Sequence, residues 1–311
     1  MPFKKTPQTF TGKIGTVELG EADSKMVLGG EKTFPFYTFD AETVNAPKVG
    51  VEISDEMETF GALKDFYAGC ETVADMAKKA CELEGADFIV LHLEGADPNG
   101  ANKSTEECVA MAKEVAAAIN KPLVVAGCKN AEKDTELFSK IAEALEGKNV
   151  LFMSAKEETY KTICAAAGLA YGQKVGAESA VDINLAKQLN VLIGQMGLAA
   201  SNVVMNLGSA AAGYGFEYVV STYDRVKAAA LSQNDVNLQI PTISPVAFET
   251  WNVKESVMAE ADMPEWGSRE DRAINMEVVT ASSCLAAGTN AVILRHPTSV
   301  KTIAAMIKEL A

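Results

Sequence analysis

The chain has 311 residues, 48% of them hydrophobic, and a formal net charge of −14. That is enough material for one large core or two small domains, and the negative charge disfavours a nucleic-acid or anionic-membrane surface, since either needs a basic face. No apolar run is long enough to span a bilayer, and the start, Met1-Pro2-Phe3-Lys4-Lys5, has no apolar block behind its charges, so a cytoplasmic protein without a secretory signal is expected.

Residues 1–45 read as an irregular N-terminal extension. Short β-like pieces at 15–19 and 26–30 predict a hairpin that caps one end of a larger domain. From Pro47 onward, strand and helix patterns alternate. Strands are expected at 49–53, 88–93, 123–126, 150–153, 174–177, 203–205, 239–243 and 291–294, and helices at 72–84, 105–119, 132–145, 159–170, 183–196, 217–231, 270–287 and 299–310. The run Phe88-Ile89-Val90-Leu91 is apolar throughout, as in a strand covered on both faces. Pro98 and Gly100 then break regular structure, and Ser104 with Glu107 has the spacing of a capping box. Ile183, Leu185, Leu189, Leu192, Ile193 and Met196 repeat at helical spacing, with Gly197 as the stop.

Eight strands and eight helices in alternation imply a parallel sheet. A doubly wound sheet usually carries a glycine-rich phosphate turn after its first strand. Here that turn is the acidic Ser54-Asp55-Glu56-Met57-Glu58. A (β/α)8 TIM barrel over residues 46–311 is therefore predicted, since eight such units typically occupy about 250 residues. The longest excursion, 246–268, follows the seventh strand and is expected to form a lid or a docking surface.

Barrel chemistry sits at the carboxyl ends of the strands. Those ends read Glu52/Asp55, Glu94/Asp97, Gly127/Cys128/Lys129, Ser154/Lys156, Glu178/Asp182/Asn184, Asn206/Gly208, Ser244 and Arg295/His296. Both histidines, His92 and His296, fall near strand ends, but two histidines without a third ligand make a weak metal signal. His296 precedes Pro297 and is read as satisfying local backbone, and Asp182 as a helix cap. His92-Leu93-Glu94-Gly95 shares His-x-x-Gly with corrinoid-binding Asp-x-His-x-x-Gly segments. Val90 stands at the aspartate position, so the carboxylate that would orient the histidine is missing from the motif. The six cysteines are dispersed without a Cys-x-x-Cys pair, which disfavours an iron–sulfur or zinc site built from this chain alone. The glycines of Gly213-Tyr214-Gly215 are read as permitting close backbone approach. No nucleophile elbow, phosphate loop or complete catalytic constellation is found.

The segment Leu93-Glu94-Gly95-Ala96-Asp97-Pro98-Asn99-Gly100-Ala101-Asn102 resembles the strand-end signature of the small subunit of the corrinoid iron–sulfur protein, also called the delta subunit of acetyl-CoA decarbonylase/synthase. Pro122-Leu123-Val124-Val125-Ala126-Gly127-Cys128, the stretch from Val181 to Asn190, Gly213-Tyr214-Gly215-Phe216-Glu217-Tyr218 and Arg295-His296-Pro297 agree in the same order. One departure is Asn206-Leu207, where the family is expected to carry Asp-Pro. The resemblance implies a barrel related to pterin-binding methyltransferases and a heterodimer with a large subunit. That subunit would carry the [4Fe–4S] cluster and the main cobalamin-holding domain, with the corrinoid lying between it and this barrel. The heterodimer would take a methyl group from methyltetrahydrofolate through a separate methyltransferase and deliver it to acetyl-CoA synthase/CO dehydrogenase, a step of the Wood–Ljungdahl pathway. Under that implication the residues expected to touch cobalamin are Gly127, Cys128, Asn206, Gly208, Gly213, Tyr214, Gly215, Ser244 and Arg295, with no catalytic residue and no metal ligand from this chain. The alternative is a pterin-dependent methyltransferase barrel acting on its own, its pterin held by Asp97, Asp182 and Asn206. An aldolase-like barrel is a third option, for which Lys129 and Lys156 come closest to a Schiff-base lysine.

Overall fold

A computed structural model describes residues 6–311; the first five residues of the expected extension, and with them the charged start, lie outside the described residues. Strands β1 (Thr16–Leu19) and β2 (Met26–Gly29) form the expected antiparallel pair. Val17 and Leu19 alternate with exposed neighbours and are fully buried, which is the signature of a sheet with one wet face. The amide of Gly15 donates to Gln239 and that of Gly20 to Asn149, so the pair is pinned beneath the amino ends of the barrel strands.

The rest of the described chain is an eight-stranded closed parallel barrel with its helices outside. Strand β3 (Lys48–Ser54) is followed by α1 (Gly61–Phe66) and α2 (Val73–Cys81), and β4 (Phe88–His92) by α3 (Thr105–Ala118). Next come β5 (Leu123–Ala126), α4 (Ala131–Ala144), β6 (Leu151–Ala155) and α5 (Tyr160–Ile163), which runs on into a π-helical turn over Cys164–Leu169. Then follow β7 (Lys174–Glu178), α6 (Ile183–Gln195), β8 (Val203–Asn206), α7 (Phe216–Ser232) and β9 (Thr242–Ser244). The chain ends with α8 (Val246–Thr250), α9 (Lys254–Val257), α10 (Arg269–Ala287), β10 (Ala291–Leu294) and α11 (Pro297–Leu310). Strands β3 to β10 pair in sequence order, and β10 closes the ring on β3 with Leu294 opposite Val51.

All eight expected barrel strands are present. The seventh starts three residues later than expected, at Thr242, because Pro241 has no amide to give a ladder. Ser104 and Glu107 form the predicted capping box, Asp182 caps α6 through the amides of Asn184 and Leu185, and His296 caps α11. The excursion after β9 departs from expectation. Its first part, α8 and Trp251, is not a lid: Val246, Ala247, Phe248, Thr250 and Trp251 are buried against the barrel end. Burying side chains of this size is worth about 1.5–3 kcal/mol each, and a segment so anchored is part of the wall.

Candidate functional site

Strand alternation sends Glu52 of β3 and His92 of β4 to the same interior face, and barrel closure brings Arg295, just past β10, beside them. Glu52 is fully buried. One carboxylate oxygen contacts His92 Nδ1 at 2.7 Å and accepts from an Arg295 guanidinium nitrogen at 3.0 Å; the other accepts from Arg295 Nε at 2.8 Å. Burial alone would push the Glu52 carboxyl up, but the Arg295 guanidinium and then His92 outweigh it and hold it at about 2. Glu94, which accepts from the Ser54 hydroxyl, stands 3.9 Å from His92 Nδ1 and 4.0 Å from the Arg295 guanidinium. Glu52, His92 and Glu94 thus converge as three ligand-type side chains. A guanidinium already neutralises Glu52, however, and a divalent cation would have to displace it.

A second buried carboxylate supports this group from behind. Glu277 of α10 accepts from Trp251 Nε1 at 3.1 Å and from the backbone amides of Arg295 and His296. Burial nevertheless raises its pKa. Trp251 lies 5.3 Å from the Arg295 guanidinium and parallel to His296, and Phe248 stacks on His92 with ring centroids 4.1 Å apart. The two histidines do not form a pair: His296 Nδ1 accepts from the Thr298 amide while Nε2 meets Glu270 at 3.1 Å.

Above this floor the barrel mouth holds a cavity of about 290 Å3, lined in part by His92, Ser154, Lys156, Glu178, Asn206 and Phe248. Asn206 donates to Ser154 Oγ at 2.9 Å and accepts from the Gly208 amide at 3.0 Å. Lys156 is 3.6 Å from Glu178, and Lys129 is 3.4 Å from Glu249. Of the residues expected to touch a ligand, Gly127, Asn206 and Gly208 line this cavity. Cys128 adjoins it, its amide donating to Asp134 at 2.7 Å and its thiol pushed up to about 12 by burial. Arg295 lies beneath His92, bound to Glu52. Ser244 turns away from the mouth, its hydroxyl against Cys284 at 3.4 Å. Gly213, Tyr214 and Gly215 stand outside, with the Tyr214 hydroxyl donating to Glu255 at 2.6 Å. Gly213 is not closely approached; it and Gly215 serve the chain through φ of 90° and 76°.

Two corrections concern His92 and the proposed pterin ligands. His92 does have an orienting carboxylate, but from the neighbouring strand and 40 residues away in sequence; a search within its own motif misses it. The signal available was the single acid inside the apolar run Val49-Gly50-Val51-Glu52-Ile53. Among Asp97, Asp182 and Asn206, only Asn206 lines the mouth. Asp182 is consumed as a cap, and Asp97 accepts from the Asn99 amide in its own loop.

Among solved structures, dihydropteroate synthases share the fold. The Xanthomonas albilineans enzyme with 4-aminobenzoic acid superposes with a TM-score of 0.59 at 11% identity, covering 94% of this chain and 98% of that one. The Coxiella burnetii enzyme in complex with pteroic acid gives 0.56 at 10% identity, covering 95% and 98%. Closer in sequence is the delta subunit of the acetyl-CoA decarbonylase/synthase complex of Archaeoglobus fulgidus, 31% identical over 321 residues, covering 99% of this chain and 70% of that protein. Delta subunit 2 of Methanosarcina acetivorans is 32% identical over 290 residues, covering 91% of this chain and 66% of that protein. The chain therefore spans about two thirds of the length of these relatives. The model of the family described as CO dehydrogenase/acetyl-CoA synthase delta subunit matches residues 16–297, and with that match the chain belongs to this family.

Proposed function

We propose that this chain is the small subunit of a heterodimeric corrinoid methyl carrier, capping one face of a cobalamin held mainly by a large, [4Fe–4S]-bearing subunit. The carrier would accept a methyl group from methyltetrahydrofolate through a methyltransferase and pass it to acetyl-CoA synthase/CO dehydrogenase. The observation that carries this reading is the mouth itself. Its floor is an ion group in which Arg295 and His92 pair with Glu52, and its cavity of about 290 Å3 lies at the small end of the range for drug-sized ligands. A corrinoid is larger than that, so the barrel rim would lie against it while only a part of it entered. The corrinoid supplies the cobalt that carries the methyl group. This chain would exclude water from that face and seat the large subunit, both of which cobalt chemistry requires of its surroundings.

Co-expression with a large corrinoid-binding subunit tests this. The heterodimer is expected to show corrinoid absorption in the visible range, and the purified single chain none. Stoichiometric corrinoid in the single chain would overturn the capping role. A stand-alone pterin methyltransferase is not favoured, because two of the three groups it needs are committed elsewhere.

A further inference from the structure

His92 is 3% exposed, yet only one of its ring nitrogens has a partner. Nδ1 is taken by Glu52. In the neutral imidazole that contact places the proton on Nδ1, because an ionised carboxylate can only accept. Nε2 then carries a lone pair. It has no hydrogen-bond partner among the described residues, and the ring lines the mouth cavity. Phe248 stacked on the ring and the bidentate Arg295–Glu52 pair behind it fix its orientation. Open to the cavity and fixed in direction, this nitrogen is an acceptor available to a donor that enters the mouth.

The remaining walls define what that donor belongs to. The cavity lysines each face an acid: Lys156 faces Glu178, and Lys129 faces Glu249. An anion entering the mouth meets no unmatched cation, and it meets the Nε2 lone pair at the floor. A cation finds the wall acids Glu178 and Glu249 already facing those lysines. A compact neutral group that both donates and accepts satisfies all of these conditions, its N–H toward His92 and its carbonyl toward Lys156 or Ser154. We propose that the mouth is a subsite for one primary carboxamide, with His92 Nε2 as its acceptor. The proposal deepens the capping role and rests on it for the source of the group, since acetamide and propionamide arms ring the periphery of cobalamin. The other source of the same chemistry is an Asn or Gln side chain of the partner subunit.

Because the chain has only two histidines, the ring nitrogens can be read directly by NMR of protein labelled with 15N-histidine. Titration of the single chain with propionamide is expected to shift His92 Nε2 and leave His296 unmoved, and propionate at equal concentration is expected to shift neither. Failure of propionamide to move His92, or an equal response to propionate, overturns the subsite whatever the fate of the capping role. In the heterodimer, cobalamin is compared with derivatives in which one arm is hydrolysed to a carboxylic acid. A loss of about tenfold in affinity, about 1.4 kcal/mol, for one derivative alone identifies the corrin as the source. Equal binding of all derivatives, with His92 Nε2 already shifted in the corrinoid-free heterodimer, identifies the partner's side chain. Nitrogen hyperfine splitting from His92 on the cobalt(II) state of the corrinoid would mean direct ligation and would overturn the proposal.

Discussion

At Glu52, burial and pairing act against each other. A carboxylate removed wholly from water is costly unless it is paired and hydrogen-bonded. Here the guanidinium of Arg295 and the ring of His92 bring its pKa from 4.5 down to about 2 against the effect of burial. The folded chain therefore holds fewer protons at this group than the unfolded chain between those values. The stabilisation is fully present above about pH 4.5 and is lost as pH falls toward 2. His296 acts over a higher window. Burial lowers its pKa below 6.5 despite Glu270, so its contribution is present above pH 6.5 and fades as pH falls below it. Denaturant unfolding followed across pH should show stability declining from about pH 6.5 and more steeply below 4.5. Glu52→Gln should cost about 3–5 kcal/mol near neutral pH by leaving a buried guanidinium without its counter-charge, and should flatten the steep acid limb. Unchanged stability in that variant would contradict the pairing described. His92 and Arg295 both stand out in the sequence as polar residues at strand ends. Their link through Glu52 does not, because it spans 243 residues and exists only once the barrel closes.

The strands were legible as elements because each is a short apolar run bounded by breakers, and the long helices because their apolar stripes repeat over several turns. The helices that escaped, α1, α8 and α9, have six, five and four residues, too few for a period to declare itself. The wall role of α8 was hidden for a related reason. Its apolar residues fall in what reads as an excursion, and only the tertiary fold shows that Phe248 covers His92. Between β5 and α4, one contact turns on the absence of a side chain. A Cβ at Gly127 would stand 2.1 Å from the Asp134 carboxylate, which accepts the Cys128 amide and so fixes the turn at the cavity edge. Gly127→Ala is expected to destabilise the protein by about 1–3 kcal/mol, as overpacking does. Thermal unfolding would check this, and a variant as stable as the parent would mean that the turn relaxes freely.

At the scale of the whole molecule, one continuous core joins the barrel interior, the helix layer and the small antiparallel sheet. Among the described residues no helix is long and apolar enough to cross a membrane. Cys108, Cys128, Cys164 and Cys284 lie within that core, with their thiols pushed up to about 11 or 12 by burial. Cys70 and Cys81 are half-buried. In native protein a thiol reagent is expected to modify Cys70 and Cys81 first. The other four should react together at the rate of global opening, which peptide mapping against time would resolve. Early labelling of any one of those four would mark a local opening that the packing does not predict. The barrel as a whole followed from counting strand–helix units. The mouth did not, since it draws on strand ends spread from Glu52 to Arg295, whose adjacency is a property of the closed ring.

That closure has a consequence during synthesis. Strand β10 and Arg295 are made after the other seven strands of the barrel, yet Arg295 is the counter-charge for an acid on the first of them and the support on which the His92 ring is set. A nascent chain stopped short of Arg295 can bury most of its apolar surface and still present a floor with an unneutralised carboxylate and a loose imidazole. The surface on which a cofactor or partner would settle is thus finished only with the eighth barrel strand. Its completion reports that the ring has shut.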